Sequence, residues 1–349
     1  MRWLTALWVL ACWAPTAAAE PGWLKGQLHL HSGNSGDSET PPPEVARWYA
    51  DKGYDFIVFT DHNVVTRGIE GPDGLLVGVG AELTQNPRHC TPPPRPGTKC
   101  LLHVNALFAT GPAGPIPWTP LASAQRFAIY GRGVDTARRM GALAMINHPN
   151  FHHAADAALL LKLAHGGAAL LEVANEAVDS NNDGDPGHPS TVALWDAVLS
   201  AGGRMWGVAT DDAHHYADAD AVRRRGEMAF TGDRGFVMVW AERRLPAIRA
   251  AVERGRFYAT KGLRLMRVAP GKTHYRVEAD GPAVRWRCVA DGRVILESEG
   301  RAVQCPRAGV KRYLRVEAAR ADGARAWTQP LFGPPGASTP PALLLGPPR

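Results

Sequence analysis

Short apolar runs recur along the chain at residues 24–30, 56–59, 75–79, 101–104, 143–146, 168–173 and 205–209. Each is bounded by turn or helix-start residues and is too short for a helix, so each reads as a strand buried on both faces. Helical patterns lie between several of them. Residues 43–52 begin on a proline and stop at Gly53, 190–200 put Val192, Trp195, Val198 and Leu199 on one face, and 245–254 follow the last apolar run. Strand–helix alternation predicts an α/β fold with a parallel sheet, and seven strands in this span predict a closed or nearly closed TIM-like β/α barrel. Two loops rich in Pro or Gly, 85–99 and 110–123, interrupt the rhythm and fit the mouth of a site.

The pattern changes near residue 264. From there only alternating strands appear, with Tyr275, Val277 and Ala279 on one face, then Val284, Trp286 and Cys288. The expected organisation is a barrel over 20–262, a small β-sandwich-like domain over 263–332 and a Pro-rich tail over 333–349.

Residues 1–19 carry one charge, Arg2, then an apolar stretch and three alanines, Ala17 to Ala19. This predicts a cleaved signal peptide and a periplasmic or secreted protein; the stretch is shorter than the ~20 residues that cross a bilayer, and no later segment reads as a membrane span. Cleavage would remove Cys12 and leave Cys90, Cys100, Cys288 and Cys305. Among three connectivities the local pairs Cys90–Cys100 and Cys288–Cys305 are preferred over a zinc site, because neither pair has CxxC spacing. The net charge of +6 is spread in single arginines. It leaves acidic or phosphorylated small-molecule or nucleotide-type substrates open without calling for a stable nucleic-acid complex.

Metal-type residues fall at the ends of the predicted strands. His29 and His31 close the first, Asp61 and His62 the second, and Glu82 follows the third; His103 sits in the fourth, His148 follows the fifth, and Asp212 and His214 follow the last. In a parallel barrel all these ends open on one face. So many imidazoles and carboxylates without cations would leave charge uncompensated, which divalent ions would resolve.

The segments His29-Leu30-His31-Ser32, Asp37, Thr60-Asp61-His62-Asn63, Glu82, His103, Asn147-His148-Pro149-Asn150 and Thr210-Asp211-Asp212-Ala213-His214 resemble, in order, the PHP superfamily, named for polymerase and histidinol phosphatase. The resemblance implies a distorted seven-stranded β/α barrel holding two or three divalent metals (Zn, Mn or Fe). The secreted format and β-rich tail are similar to the carbaryl-hydrolase branch. Carried over by position, the resemblance gives one metal to His29, His31, Glu82 and Asp212, a second to Glu82, His103 and His148, and a third to Asp37, His62 and His214. Asp37 lies six residues after His31, where the spacing is often five. Asp212 is chosen over Asp211 because alternation puts Asp212 and His214 on one strand face.

Mixed His and carboxylate coordination leaves open positions, and two cations sharing Glu82 can hold a hydroxide at neutral pH. The expected activity is metal-dependent hydrolysis, with Glu82, His103, Asp212 and His214 as the catalytic set. A phosphate mono- or diester is the leading substrate, a carbamate or carboxylic ester the alternative, and a non-catalytic metal-stabilised binding protein a third reading. Arginines and lysines over the metals would favour phosphate; aromatic walls such as Trp118 or Phe151 would favour an aryl ester. Asn63, Asn147, Asn150 and Asn175 are candidate orienting groups, and Arg67, Arg88 and Lys99 candidate anion contacts. Residues 179–185 imitate the start of a calcium loop but lack its closing glutamate.

Overall fold

The computed structural model describes residues 20–117 and 121–333. The expected signal segment 1–19, Trp118 and the tail beyond Gly333 lie outside the described residues. The chain is a mixed α/β protein whose site-bearing part is built on two sheets. One has five strands in the order Trp206–Thr210, Leu170–Asn175, Leu143–Ile146, Leu102–Leu107 and Gly80–Gln85. The other has ten and includes Phe257–Lys261, Phe236–Ala241, Gly22–Gln27, Phe56–Val58 and Leu76–Gly78 as neighbours.

Two findings depart from the expected parallel barrel. First, Leu102–Leu107 runs antiparallel to both its neighbours. It returns from Gly80–Gln85 through a loop stapled by Cys90–Cys100, a hairpin connection that antiparallel strands permit and parallel ones do not. Second, the sheets do not close by continuous pairing. Among the described residues only the single-residue bridges Leu30–Ala213 and His62–Glu82 link them. The chain leaves ladder geometry at this end: Asn63 and Asp212 have φ of 55° and 50°, in a region that cannot continue a strand.

Helices Pro42–Asp51, Arg126–Arg139, Ala157–His165, Thr191–Ser200 and Leu245–Glu253 accompany these sheets. Ser190 caps its helix by accepting from Ala193 N at 3.2 Å, and Pro42 opens the first. Gly133 lets Arg126–Arg139 lie against the sheet, since a Cβ there would meet Val104 Cγ2 at 2.8 Å.

The ten-stranded sheet runs on past residue 262. Phe257–Lys261 pairs antiparallel with Arg325–Thr328, and Tyr313–Ala319, Val284–Ala290 and Arg293–Gly300 extend it. A three-stranded sheet of Leu265–Pro270, His274–Ala279 and Ala302–Pro306 packs with it over buried Tyr275, Val277, Val284 and Trp286. The disulfide Cys288–Cys305 joins the two sheets.

Arg315 is fully buried and ties this region to helix Thr191–Ser200. Its guanidinium donates to Asp196 Oδ1 at 2.7 Å and Oδ2 at 2.5 Å, and to Glu317 Oε1 at 2.7 Å. Breaking a buried ion pair from one side costs about 3–5 kcal/mol. Arg315→Ala is therefore expected to lower the unfolding free energy by that amount, which urea denaturation measures; a change below about 1 kcal/mol would show that the contact is not stabilising.

Candidate metal centre

Strand ends and the turns after them, with Glu82 inside Gly80–Gln85 and not after a strand as expected, and His103 inside Leu102–Leu107, place the metal-type side chains in one cavity of about 270 Å3, whose lining includes Asp37, His62, Glu82, His103, His148, Asp212 and His214. Their ligand atoms form three adjoining groups: His29, His31 and Asp212; Glu82, His103 and His148; and His31, Asp37, His62 and His214. His31 thus belongs to two groups, one more than the sequence suggested. Glu82 falls outside the first group but touches it, with Oε1 3.4 Å from His29 Nε2 and Oε2 3.7 Å from His31 Nε2.

Glu82 is the hub. Its Oε1 lies 3.1 Å from His103 Nδ1 and 3.5 Å from His148 Nε2, its Oε2 lies 2.7 Å from His62 Nδ1, and Asn147 Nδ2 donates to Oε1 at 2.6 Å. Strand register explains the approach: Glu82 pairs with Asn105 and Thr84 with His103, so Glu82 and His103 are diagonal neighbours on one face. Because Leu102–Leu107 runs antiparallel, His103 reaches the site from the strand's N-terminal end.

The first group has the spacing a cation needs. His29 Nε2 and His31 Nε2 stand 3.3 Å apart, and Asp212 Oδ1 lies 3.2 and 3.1 Å from them. Tetrahedral ligands bonded at 2.0–2.1 Å would be about 3.3–3.4 Å apart. In the third group Asp37 Oδ2 lies 2.9 Å from His62 Nε2 and 3.2 Å from His214 Nε2, while the Asp212 carbonyl accepts from His214 Nδ1 at 2.8 Å and so leaves Nε2 for a ligand.

A carboxylate that sequence reasoning missed supports the first group. Glu172, fully buried in Leu170–Asn175, faces four donors: His29 Nδ1 at 2.7 Å, Thr210 Oγ1 at 2.6 Å, the His148 backbone N–H at 2.5 Å and Asn175 Nδ2 at 2.9 Å. It fixes the His29 tautomer so that Nε2 points its lone pair at the cluster. Asn175 Nδ2 also reaches Asp212 Oδ2 at 3.1 Å. Among the other asparagines, Asn147 holds Glu82, whereas Asn63 and Asn150 hold backbone.

The two aspartates next to the ligands have different work. Asp211 accepts from Gln27, Tyr49 and the backbone N–H groups of Asp233, Arg234 and Gly235. Asp61 holds Ser32 and Thr66. Asp212 faces the cluster, but through its left-handed backbone and not through strand alternation, since the strand ends at Thr210. Arg67, Arg88 and Lys99 are absent from the cavity lining; Arg67 binds the Ala109 carbonyl instead. In the 179–185 segment the carboxylates face different partners: Asp179 lines the metal-type cavity, Asp183 faces Arg325 and Asp185 faces Arg95. Phe151, Phe230 and His215 complete the rim; the aromatic side of Phe230 carried no signal in the sequence.

Burial opposes charge on every ring here, yet the carboxylates outweigh it at several. Asp212, Glu172 and Glu82 raise His29; Glu82 and Asp212 raise His148; Asp37 and Asp212 raise His214; and Glu82 and Asp37 push His62 up to about 10. In return, and again against burial, imidazoles hold Glu82 and Asp212 well below the usual carboxylate range. His103 goes the other way, to about 4, because burial prevails. Protons on the raised rings occupy places where cations would bind, so divalent-metal uptake near neutral pH is expected to release protons and to weaken as pH falls. Titration calorimetry in two buffers of different ionisation heat measures the release; a heat independent of buffer would refute it.

Neither a family model nor a curated protein matches the chain. A solved structure described as a two-domain protein containing a predicted PHP-like metal-dependent phosphoesterase, from Bacteroides vulgatus, is similar to it at 18% identity, covering 89% of this chain and 96% of that one, with a TM-score of 0.48.

Proposed function

We propose that this chain is a metal-dependent hydrolase of the PHP type, acting on a phosphate mono- or diester and holding two or three divalent cations in the three groups. The observation that carries the reading is the gathering of His29, His31, Asp37, His62, Glu82, His103, His148, Asp212 and His214 from separate segments into adjoining clusters. The two bridges at this end support a barrel-like approach of the two site-bearing sheets.

Divalent cations at such a site supply Lewis acidity and lower the pKa of water. The chain's own residues set the stage. Glu82 reaches all three groups and is, among the described residues, the one carboxylate that does so, while His31 belongs to two of them. Glu172 and Asn175 orient His29 and Asp212, Asn86 Oδ1 at 2.9 Å holds His103 through Nε2, and Ser35 Oγ at 2.8 Å holds His31 through Nδ1. Fixing the rings in this way removes the cost of orienting ligands at the moment of reaction.

One observation favours a second reading, an aryl carbamate or carboxylic ester hydrolase. Among the described residues the metal-type cavity is lined by Phe151 and Phe230 and by no arginine or lysine. Both readings meet in one experiment: metal analysis of the purified protein, then turnover of p-nitrophenyl phosphate, bis-p-nitrophenyl phosphate and an aryl carbamate with several divalent metals. Phosphoester turnover is expected, carbamate turnover alone would favour the second reading, and turnover of none would support the binding-protein alternative.

The two disulfides are consistent with an oxidising compartment, and no described helix is long and apolar enough to cross a membrane. Export through residues 1–19 is part of this proposal.

A further inference from the structure

A second cavity of about 500 Å3 adjoins the metal-type one, and Asn175, Ala177 and Ser180 line both. It lies where the C-terminal strands meet the site-bearing part. Arg234, Lys261, Arg285, Arg287 and Arg325 enter it from four segments, facing Glu176, Asp183 and Glu317. The carboxylates do not neutralise this set. Glu176 takes Lys261 at 2.8 Å and stands 3.8 Å from Arg234, while Arg287 pairs with Glu297 at 3.2 Å and shares Glu317, at 3.2 Å, with buried Arg315 at 2.7 Å. Among the described residues the Arg325 side chain has only Asp183, 3.7 Å away and 91% exposed, and the Arg285 side chain has no ion pair or hydrogen bond.

The spacing of these cations points to a chain of charges and not to one compact anion. Arg285 and Arg287 flank buried Trp286 on one strand, so their side chains share a face about 6.6 Å apart. Guanidinium groups match phosphate oxygens in a fork, and several placed along a groove follow a repeating backbone. The metal-type cavity, by contrast, offers no described arginine or lysine to the part of a substrate that is not reacting.

We propose that this groove is an anion subsite that takes a further phosphate of a linear phosphodiester whose scissile phosphate lies in the metal-type cavity. The inference rests on the phosphoesterase reading and narrows its substrate to chains with at least two phosphates. Nucleic acid and polyol-phosphate polymers share that chemistry.

The test uses the full chain and the double variant Arg285→Ala/Arg325→Ala, whose side chains are exposed and lie outside the ligand set. Fluorescence anisotropy of a labelled eight-residue oligothymidylate and of a poly(glycerol phosphate) fragment of equal charge, across a salt series, measures binding without turnover. The variant is expected to lose about 10-fold in affinity and to show a shallower salt dependence, with Arg285→Lys/Arg325→Lys largely restored. Binding of both probes supports backbone recognition, and binding of one supports the groove and identifies its source. Equal affinity and equal salt slope for variant and parent, or no binding of either probe, overturns the proposal. Parallel assays with bis-p-nitrophenyl phosphate, which has one phosphate, keep the two readings apart: its turnover is expected to be unchanged in the variant. Its absence in the parent would count against the phosphoesterase reading while the anisotropy still decides the groove.

Discussion

Glu82→Ala is expected to reduce turnover by about 10³-fold or more, equivalent to roughly 4 kcal/mol of transition-state stabilisation, and to lower the amount of metal bound. Among the described residues no other carboxylate approaches all three groups, and Glu82 has four imidazoles within 3.5 Å of its oxygens. Removing it takes away the charge that holds those rings together and leaves Asn147 Nδ2 with Asn105 Oδ1 as its remaining side-chain acceptor. Elemental analysis and kcat/KM measured on the same preparation, with circular dichroism as the folding control, provide the check. A variant that keeps both its metal and its turnover would remove Glu82 from the centre of the mechanism.

Glu172→Gln should have the second largest effect, although this residue does not line the metal-type cavity and sits behind His29. The carboxylate meets donors on both oxygens, and an amide would turn an N–H2 group toward one pair of them. Buried donors left without an acceptor cost about 1–3 kcal/mol each, and loss of a carboxylate behind a metal-binding histidine weakens metal affinity by about 10–100-fold. Thermal melts with and without added metal would separate the two contributions. Unchanged metal affinity in a destabilised variant would confine Glu172 to a packing role.

The contrast between these two glutamates shows what could be read from sequence. Glu82 follows the apolar run 75–79 and so reads as a carboxylate at a strand end, which ought to meet solvent or a cation, although in the structure it lies inside the next strand, Gly80–Gln85. Glu172 sits inside the apolar run 168–173, where periodicity reveals only that the position is buried; its partners come from 143, 38 and 24 residues away and from Asn175, three residues on. The seven expected runs each fall on a strand because continuous hydrophobic runs survive any topology, but Gly80–Gln85, Phe236–Ala241 and Phe257–Lys261 were not read as strands. Strand direction was not legible, because a reversed Leu102–Leu107 has the same composition as a parallel one. Helix Arg126–Arg139 was hidden by Gly131 and Gly133, which break its helical signature, while Gly133 allows the close approach to Val104. Strand alternation favours Asp212 over Asp211, whereas a left-handed backbone at Asp212 is what turns that side chain to the cluster.

The ladder between Phe257–Lys261 and Arg325–Thr328 bears on how the molecule can be cut. A chain ended at residue 262 would present the Phe257–Lys261 backbone to solvent as a bare row of donors and acceptors, ready to recruit the same strand from another copy. Self-association of such a fragment would then report a severed sheet, not a defect in the chemistry of the cavity.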